Sequence, residues 1–271
     1  MISNISKELI DIYGRDGFVR IPRFLDADNL HRWRTIVDSA VAERTERIPG
    51  FGDGDGDGGA TGNEYYDKVF KQRVNLWQTN ANVRYLVLDP QIGRIAAQLE
   101  GQSSMRLYHD QAFYKERWGN PTSWHIDNPY WAFHSRHATS LWIALDDVTI
   151  QNGALYFMPG THTSARFETV LIGQNVGALF DKYPEWASQT ATCVEMKAGD
   201  ATFHNGLLAH AAGPNMTPNV RRAFSMIFMP GNCTYNGQRN VLPKRLFDTL
   251  RPGDPLDESD FNPLVFKEQR S

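Results

Sequence analysis

Trp124-His125-Ile126-Asp127 places a histidine and an aspartate two residues apart, within a region of short β-branched and aromatic runs. On an extended strand the side chains alternate between faces, so His125 and Asp127 are expected on the same side. His210, far downstream, is the second histidine that a folded sheet would bring beside them. Two imidazoles and one carboxylate on one face leave the other positions around a metal ion open. That ligand set is the one used by non-heme Fe(II) oxygenases.

Working outward from this stretch, the runs from Met105 onward are broken by Gly, Pro, Asn and Asp, the punctuation of a β-rich region. Candidate strands are 105–115, 123–126, 138–145, 154–158, 191–196, 201–203, 209–211 and 222–229. Roughly eight strands after a helical start predict a mainly β fold with flanking helices, a barrel or jelly roll. Upstream, 5–13 has helical spacing with Gly14 as its stop, and 18–22 reads as extended. Asp26 caps a helix predicted to reach Ile48, where Pro49-Gly50 ends it. A further helix is expected over 90–99, and 180–189 reads as a helical or irregular insertion. The chain is thus read as one domain over 1–271: a helical N-terminal region (residues 1–104), a jelly-roll core (residues 105–230) and an irregular tail (residues 231–271).

At 271 residues, 41% of them hydrophobic and 22% charged, the chain can bury a full core without a disulfide or metal staple. A formal charge of −3 offers no electrostatic case for nucleic acid or an anionic membrane. The two cysteines, Cys193 and Cys233, sit in no CxxC or zinc spacing, which suits a reduced, cytoplasmic setting. The first residues mix acidic and basic groups with no apolar run, and no stretch approaches the length of a membrane span. The expectation is a monomer or homodimer acting on a small molecule.

A keto-acid co-substrate needs its distal carboxylate clamped, and arginine suits that because its planar fork binds carboxylate through two parallel hydrogen bonds. Arg221 follows His210 by eleven residues, across the turn Gly213-Pro214-Asn215. Adjacent antiparallel strands would bring both to one end of the barrel interior, with Arg222 pointing outward.

Several ordered motifs then carry a resemblance. Trp124-His125-Ile126-Asp127-Asn128, Ser140-Leu141-Trp142-Ile143-Ala144-Leu145-Asp146-Asp147, Asn152-Gly153-Ala154-Leu155 and Pro159-Gly160-Thr161-His162 come first. Gly199-Asp200, His204-Asn205-Gly206-Leu207-Leu208, His210 and Gly213-Pro214-Asn215 with Arg221 follow in the same order. Together with Asp16-Gly17-Phe18-Val19, they resemble the phytanoyl-CoA dioxygenase family over roughly 13–229. The resemblance implies a double-stranded β-helix (cupin-like jelly roll) that uses Fe(II), 2-oxoglutarate and O2. Its implied chemistry is oxidative decarboxylation of 2-oxoglutarate to succinate and CO2, coupled to hydroxylation of an aliphatic C–H. A natural-product or amino-acid-like intermediate is the expected substrate. Desaturation, epoxidation and ring formation are open alternatives, as is a non-catalytic cupin-like binding protein.

By the same resemblance, His125, Asp127 and His210 are metal ligands and Arg221 anchors 2-oxoglutarate. Trp142 contacts that co-substrate's carboxylate, with Gln111 as a further contact. Ala212 departs from relatives that carry serine two residues after the distal histidine, so one co-substrate hydrogen bond is absent or supplied elsewhere. Halogenating relatives replace the metal carboxylate with a small residue, so Asp127 points to oxygenation or desaturation.

Phe113, Asn128, Tyr130 and Trp131 are candidate substrate-pocket residues that would serve equally well as core packing. His109, His134 and His137 read as structural or surface residues, and His162 and His204 as turn histidines or site neighbours. Asp53, Asp55, Asp57, Gly58 and Glu64 match the calcium-loop pattern of an EF-hand. Pro49-Gly50 denies that loop its entering helix, and Ala60 fills a position that favours a β-branched apolar residue, so the reading is an acidic surface loop or lid.

Overall fold

A computed structural model describes residues 2, 4–44, 65 and 68–269; the 53–64 calcium-like pattern lies outside the described residues. The chain opens with helix α1 (Lys7–Asp16), whose Ser6 hydroxyl accepts from the Leu9 amide at 3.3 Å. The predicted stop at Gly14 is wrong: Gly14 lies within the helix, and Gly17, at φ 80, makes the left-handed cap. Gly17 does so because a residue without Cβ enters that region at little cost. Strand β1 (Phe18–Ile21) follows, then helix α2 (Ala27–Glu43), capped by the Asp26 carboxylate on the Asn29 amide at 2.9 Å. α2 ends at Glu43, earlier than predicted, and Arg44 turns out of it to donate to the carbonyls of Val74 and Asn75.

Strand β2 (Lys71–Val74) and helices α3 (Leu76–Thr79) and α4 (Ala81–Val87) were not expected from the sequence. Helix α5 (Pro90–Glu100) was; Asp89 caps it, Pro90 opens it and Gly101 closes it at φ 62. Eight strands then fall on the eight predicted runs: β3 (Ser104–Lys115), β4 (Thr122–His125), β5 (Thr139–Ala144) and β6 (Leu155–Phe157). β7 (Thr192–Val194), β8 (Ala201–Asn205), β9 (His210–Ala212) and β10 (Arg221–Pro230) complete them, with α6 (Leu179–Lys182) in the insertion. The tail is not wholly irregular: it adds α7 (Lys244–Phe247) and β11 (Leu264–Lys267), which pairs with β3.

The strands form two antiparallel sheets. The larger runs β1-β8-β5-β10-β3-β11 with β2 also on β3, and the smaller runs β4-β9-β6-β7. Alternation along β5 and β10 explains the layering. Leu141, Ile143, Phe224, Met226 and Phe228 face outward into a core built with the helices, where Trp33 meets Phe224 edge-on at 5.6 Å. Trp142, Ala144 and Ala223 face inward against Leu155, Phe157 and Leu208 of the small-sheet side. β5 is buried at every position because it is covered on both faces. This is the jelly roll that the strand count predicted, with helices on the large sheet. Among the described residues no helix is long and apolar enough to cross a membrane.

Candidate metal and co-substrate site

β4 and β9 pair so that His125 stands directly opposite His210, and their rings lie 4.1 Å apart. The two Nδ1 atoms are tied back to their own strands, to the Ser123 carbonyl at 2.8 Å and the Leu208 carbonyl at 2.9 Å. Each Nδ1 therefore carries the proton, which leaves each Nε2 lone pair free as a ligand.

Asp127 arrives by a different route from the one expected. β4 stops at His125, and Asp127 sits at φ −78, ψ −44, where the chain turns into a short 3-10 segment at Asn128–Tyr130. The turn, and not strand alternation, aims its carboxylate at the histidines. Asp127 Oδ1 lies 3.5 Å from His125 Nε2 and 3.7 Å from His210 Nε2. The three ligand atoms all fall within 4.8 Å of one another. Neighbouring donors on one ion, each bonded at about 2.1 Å, stand about 3 Å apart, so the trio needs only a small contraction.

Oδ2 of Asp127 is held from the other side by the Ser140 hydroxyl at 3.3 Å and faces His204 Nε2 at 3.7 Å. Burial works against the Asp127 charge, but the His210, His125 and His204 rings outweigh it and hold the carboxyl well below the usual range. Burial and the neighbouring His125 push His210 down to about 3. An ionised carboxylate and neutral imidazoles are the protonation states a divalent metal needs. His204 is a strand residue of β8 rather than a turn histidine; its place in the ordered motifs was the one sequence signal for its role.

The trio opens into a cavity of about 420 Å³ that Arg221 and Trp142 also line. Arg221 is 4% exposed, and its guanidinium lies 5.1 Å above the Trp142 ring. Its Nη2 reaches the Gly153 carbonyl at 3.5 Å, but Nε and Nη1 are buried without a partner. Burial pulls its pKa down to about 10, so the cation persists at neutral pH with no carboxylate to meet it. Arg222, its neighbour, points to the other face, where it binds Asp146 at 2.7 Å and Asp38 at 2.6 Å. Gln111 lines the cavity and accepts from the Gln72 side-chain amide. Ala212 pairs across the strands with Thr122, which also lines the cavity.

Of the candidate substrate residues, Phe113, Tyr130 and Trp131 line the cavity. Asn128 does not: it is fully buried, and its side-chain oxygen accepts from the Ser135 amide, so it shapes the loop behind the wall. Gly206 lies behind the same wall, because a Cβ there would meet the Trp131 ring at 2.6 Å. His109, read as structural, is a buried cavity residue, whereas His134 stacks on Phe167 and His137 lies 3.6 Å from Glu100. Phe70, Leu171, Ile172 and Asn240 were missed; each arrives from a segment with no chemical motif of its own.

Lys115 stands opposite Arg221 in the β3–β10 register, fully buried, donating only to the Asn120 carbonyl at 2.8 Å. Burial, and then Arg221 beside it, push its pKa down to about 6. In the unfolded chain lysine holds its proton to about pH 10.4. Between those values folding releases a proton, so stability rises with pH, and at pH 7 the buried amine costs a few kcal/mol. Lys115→Met is expected to be more stable than the parent at pH 7 in urea unfolding, with the margin shrinking by pH 9.5. An unchanged margin at both pH values would show that Lys115 keeps its ordinary pKa.

Known proteins share this fold. The family model "Phytanoyl-CoA dioxygenase (PhyH)" matches residues 13–223. The chain belongs to the phytanoyl-CoA dioxygenase family. It is 34% identical to the phytanoyl-CoA dioxygenase of Arabidopsis thaliana over 103 residues, which span 38% of this chain and 36% of that protein. The methylphosphonate hydroxylase of Gimesia maris matches at 24% over 231 residues, covering 84% of this chain and 82% of that one. Among solved structures, the non-heme alpha ketoglutarate dependent carbocyclase SnoK from nogalamycin biosynthesis superposes with TM-score 0.78 at 28% identity, covering 97% of each chain. The epimerase SnoN, in complex with Fe3+, alpha ketoglutarate and nogalamycin RO, gives TM-score 0.75 at 28% identity over 96% of this chain and 98% of that one.

Proposed function

We propose that this protein is an Fe(II)- and 2-oxoglutarate-dependent dioxygenase that hydroxylates an aliphatic C–H of a small molecule and releases succinate and CO2. His125, Asp127 and His210 are the iron ligands in this reading, and Arg221 anchors 2-oxoglutarate with Trp142 and Gln111. One observation carries it above the others. A buried arginine with two unpartnered guanidinium nitrogens shares a cavity with a preformed two-histidine, one-carboxylate set. An unmatched buried cation is costly unless a carboxylate arrives to meet it, and a keto acid supplies one.

Bound iron would supply activation of O2, coupled to decarboxylation of the keto acid. This chain's own residues do the rest. The Ser123 and Leu208 carbonyls fix the imidazoles so that both Nε2 atoms face one point. Ser140 and His204 hold the far oxygen of Asp127, which leaves the near oxygen as the ligand. The aromatic side chains lining the cavity would limit the access of bulk water to the reacting carbon.

Ring formation or epimerisation on the same site is the second reading, favoured by the carbocyclase and epimerase activities named for SnoK and SnoN. The free cysteines support a reduced, cytoplasmic setting, where the protein would act as a monomer or homodimer. The test is slow substrate-free turnover: Fe(II), ascorbate and labelled 2-oxoglutarate should give CO2 and succinate in equal amounts, dependent on O2. A folded, iron-loaded protein that gives neither would favour the non-catalytic cupin-like alternative.

A further inference from the structure

The cavity's charge inventory restricts what can enter it. Among its described lining residues Arg221 is the only lysine or arginine and Asp127 the only acid. In the loaded site the two positive charges of iron and the Arg221 cation balance Asp127 and the two carboxylates of 2-oxoglutarate. His109, also on the wall, is held neutral by burial, its pKa pushed down to about 4. Among the described lining residues no fixed charge is left to receive a charged substrate, and an unpaired ion in such a site is strongly disfavoured.

The wall away from Arg221 has a distinct chemistry. Tyr130 and Trp131 belong to a different apolar cluster from Trp142, Leu155 and Ala212 at the arginine end. Trp131 is held flat against Phe133, rings 5.4 Å apart and 27° from parallel, so it presents a rigid aromatic face. Leu171, 83% exposed yet within the lining, makes an apolar rim.

Two neutral amides add to the lining: Asn240, and Gln72, which stands opposite Phe113 of the arginine-end cluster. Asn240 accepts the Tyr108 hydroxyl on Oδ1 at 2.8 Å, which leaves its N–H groups as donors. Its backbone sits at φ 44, a left-handed conformation that asparagine tolerates and that recurs where a side chain must be aimed. Gln72 is 3% exposed, and its Oε1 is buried without a partner.

We propose that the substrate is an uncharged, ring-rich small molecule that stacks on Trp131 and Tyr130. It presents a keto or hydroxyl oxygen to the Asn240 amide and a hydroxyl hydrogen to Gln72. Coenzyme A thioesters, phosphonates and free amino acids bring charge that the described lining residues do not balance, and they should bind more weakly. The inference rests on the function proposed above, because the charge balance assumes the loaded site.

The test is a binding series on anaerobic protein loaded with Fe(II) and 2-oxoglutarate, read by quenching of indole fluorescence. The probes are a neutral dihydroxyanthraquinone, its sulfonate and palmitoyl-CoA. The neutral probe should quench saturably, and the sulfonate and the thioester should bind at least about tenfold more weakly. Trp131→Ala should weaken the neutral probe by about tenfold or more. Since that change also removes packing, Asn240→Lys serves as a second variant on a less buried residue, and it should raise sulfonate affinity by about tenfold. Sulfonate or thioester binding as tight as the neutral probe's, or no binding of the neutral probe, overturns the proposal. Thermal stabilisation by 2-oxoglutarate in the same sample separates the two readings. If it is present while the preference fails, only the substrate class falls; if it is absent, the parent reading falls.

Discussion

Arg221→Ala should raise the 2-oxoglutarate concentration needed for half-saturation by about a hundredfold or more, while leaving the unliganded fold nearly as stable as before. The two halves of that result have one cause. In the structure the guanidinium is buried over Trp142 with Nε and Nη1 unpartnered, so the folded state already bears its desolvation. Deleting the side chain removes that cost along with its packing, and the gain and the loss roughly offset. A charge-assisted hydrogen bond to a carboxylate contributes about 1.5–3 kcal/mol, and a bidentate clamp provides two. Losing both corresponds to a hundredfold or more in affinity. Thermal unfolding reads both halves together. At 2-oxoglutarate a hundredfold above its Kd the parent gains about 2.7 kcal/mol, or roughly 5 °C or more for a chain of this size. The variant should gain no more than about 0.4 kcal/mol. Arg221→Lys should behave like the alanine change, because a point charge cannot reproduce the fork. An unchanged 2-oxoglutarate requirement in Arg221→Ala would move the anchor elsewhere.

Asp127→Ala should weaken iron binding by at least about a hundredfold, the larger of the expected effects on the metal. Removing an outer partner of a ligand typically costs 10–100-fold in affinity, and here a proposed ligand itself is removed. Its carboxylate also carries the only negative charge among the described lining residues, so the two remaining imidazoles would hold a divalent cation with no compensation. Ser140→Ala and His204→Ala provide the internal scale. Both touch the far oxygen of Asp127, at 3.3 Å and 3.7 Å, and should weaken iron by about tenfold. Anaerobic Fe(II) titration followed by metal analysis of the desalted protein distinguishes these levels. Equal iron content in the parent and Asp127→Ala would remove Asp127 from the ligand set.

Most strands of the jelly roll were legible because they carry a run of β-branched or aromatic residues closed by a turn former, a signal local enough to read. Lys71-Gln72-Arg73-Val74 escaped notice because two of its four side chains are charged. It becomes a strand through pairing with β3, a partner more than thirty residues away. Gly14 and Gly17 show a finer limit, since either could have closed α1. The choice fell to Gly17 because the helix stays favourable through Asp16, whose carboxylate pairs with Arg15 at 2.6 Å.

The grouping of the three candidate ligands was legible through spacing and ordered motifs, although the reason offered for Asp127 was only half right. A strand would have aligned it with His125, but the chain achieves the same result by turning. The cavity wall was the least legible region. Asn240, Leu171 and Phe70 lie in loops whose composition says nothing of their destination, and they meet only because the two sheets close. Asn128, next to the metal motif in sequence, was drawn inward to hold the loop, so adjacency in sequence was a poor guide to the pocket.

The central claim is that His125, Asp127 and His210 hold iron in the same cavity in which Arg221 receives 2-oxoglutarate. Anaerobic optical titration tests it most directly. Fe(II) and 2-oxoglutarate added together should develop a weak visible charge-transfer band that saturates at one equivalent of iron, is lost in Asp127→Ala and His210→Ala, and in Arg221→Ala appears only at far higher 2-oxoglutarate. No band in the folded parent protein, or a band of equal intensity in Asp127→Ala, would contradict it.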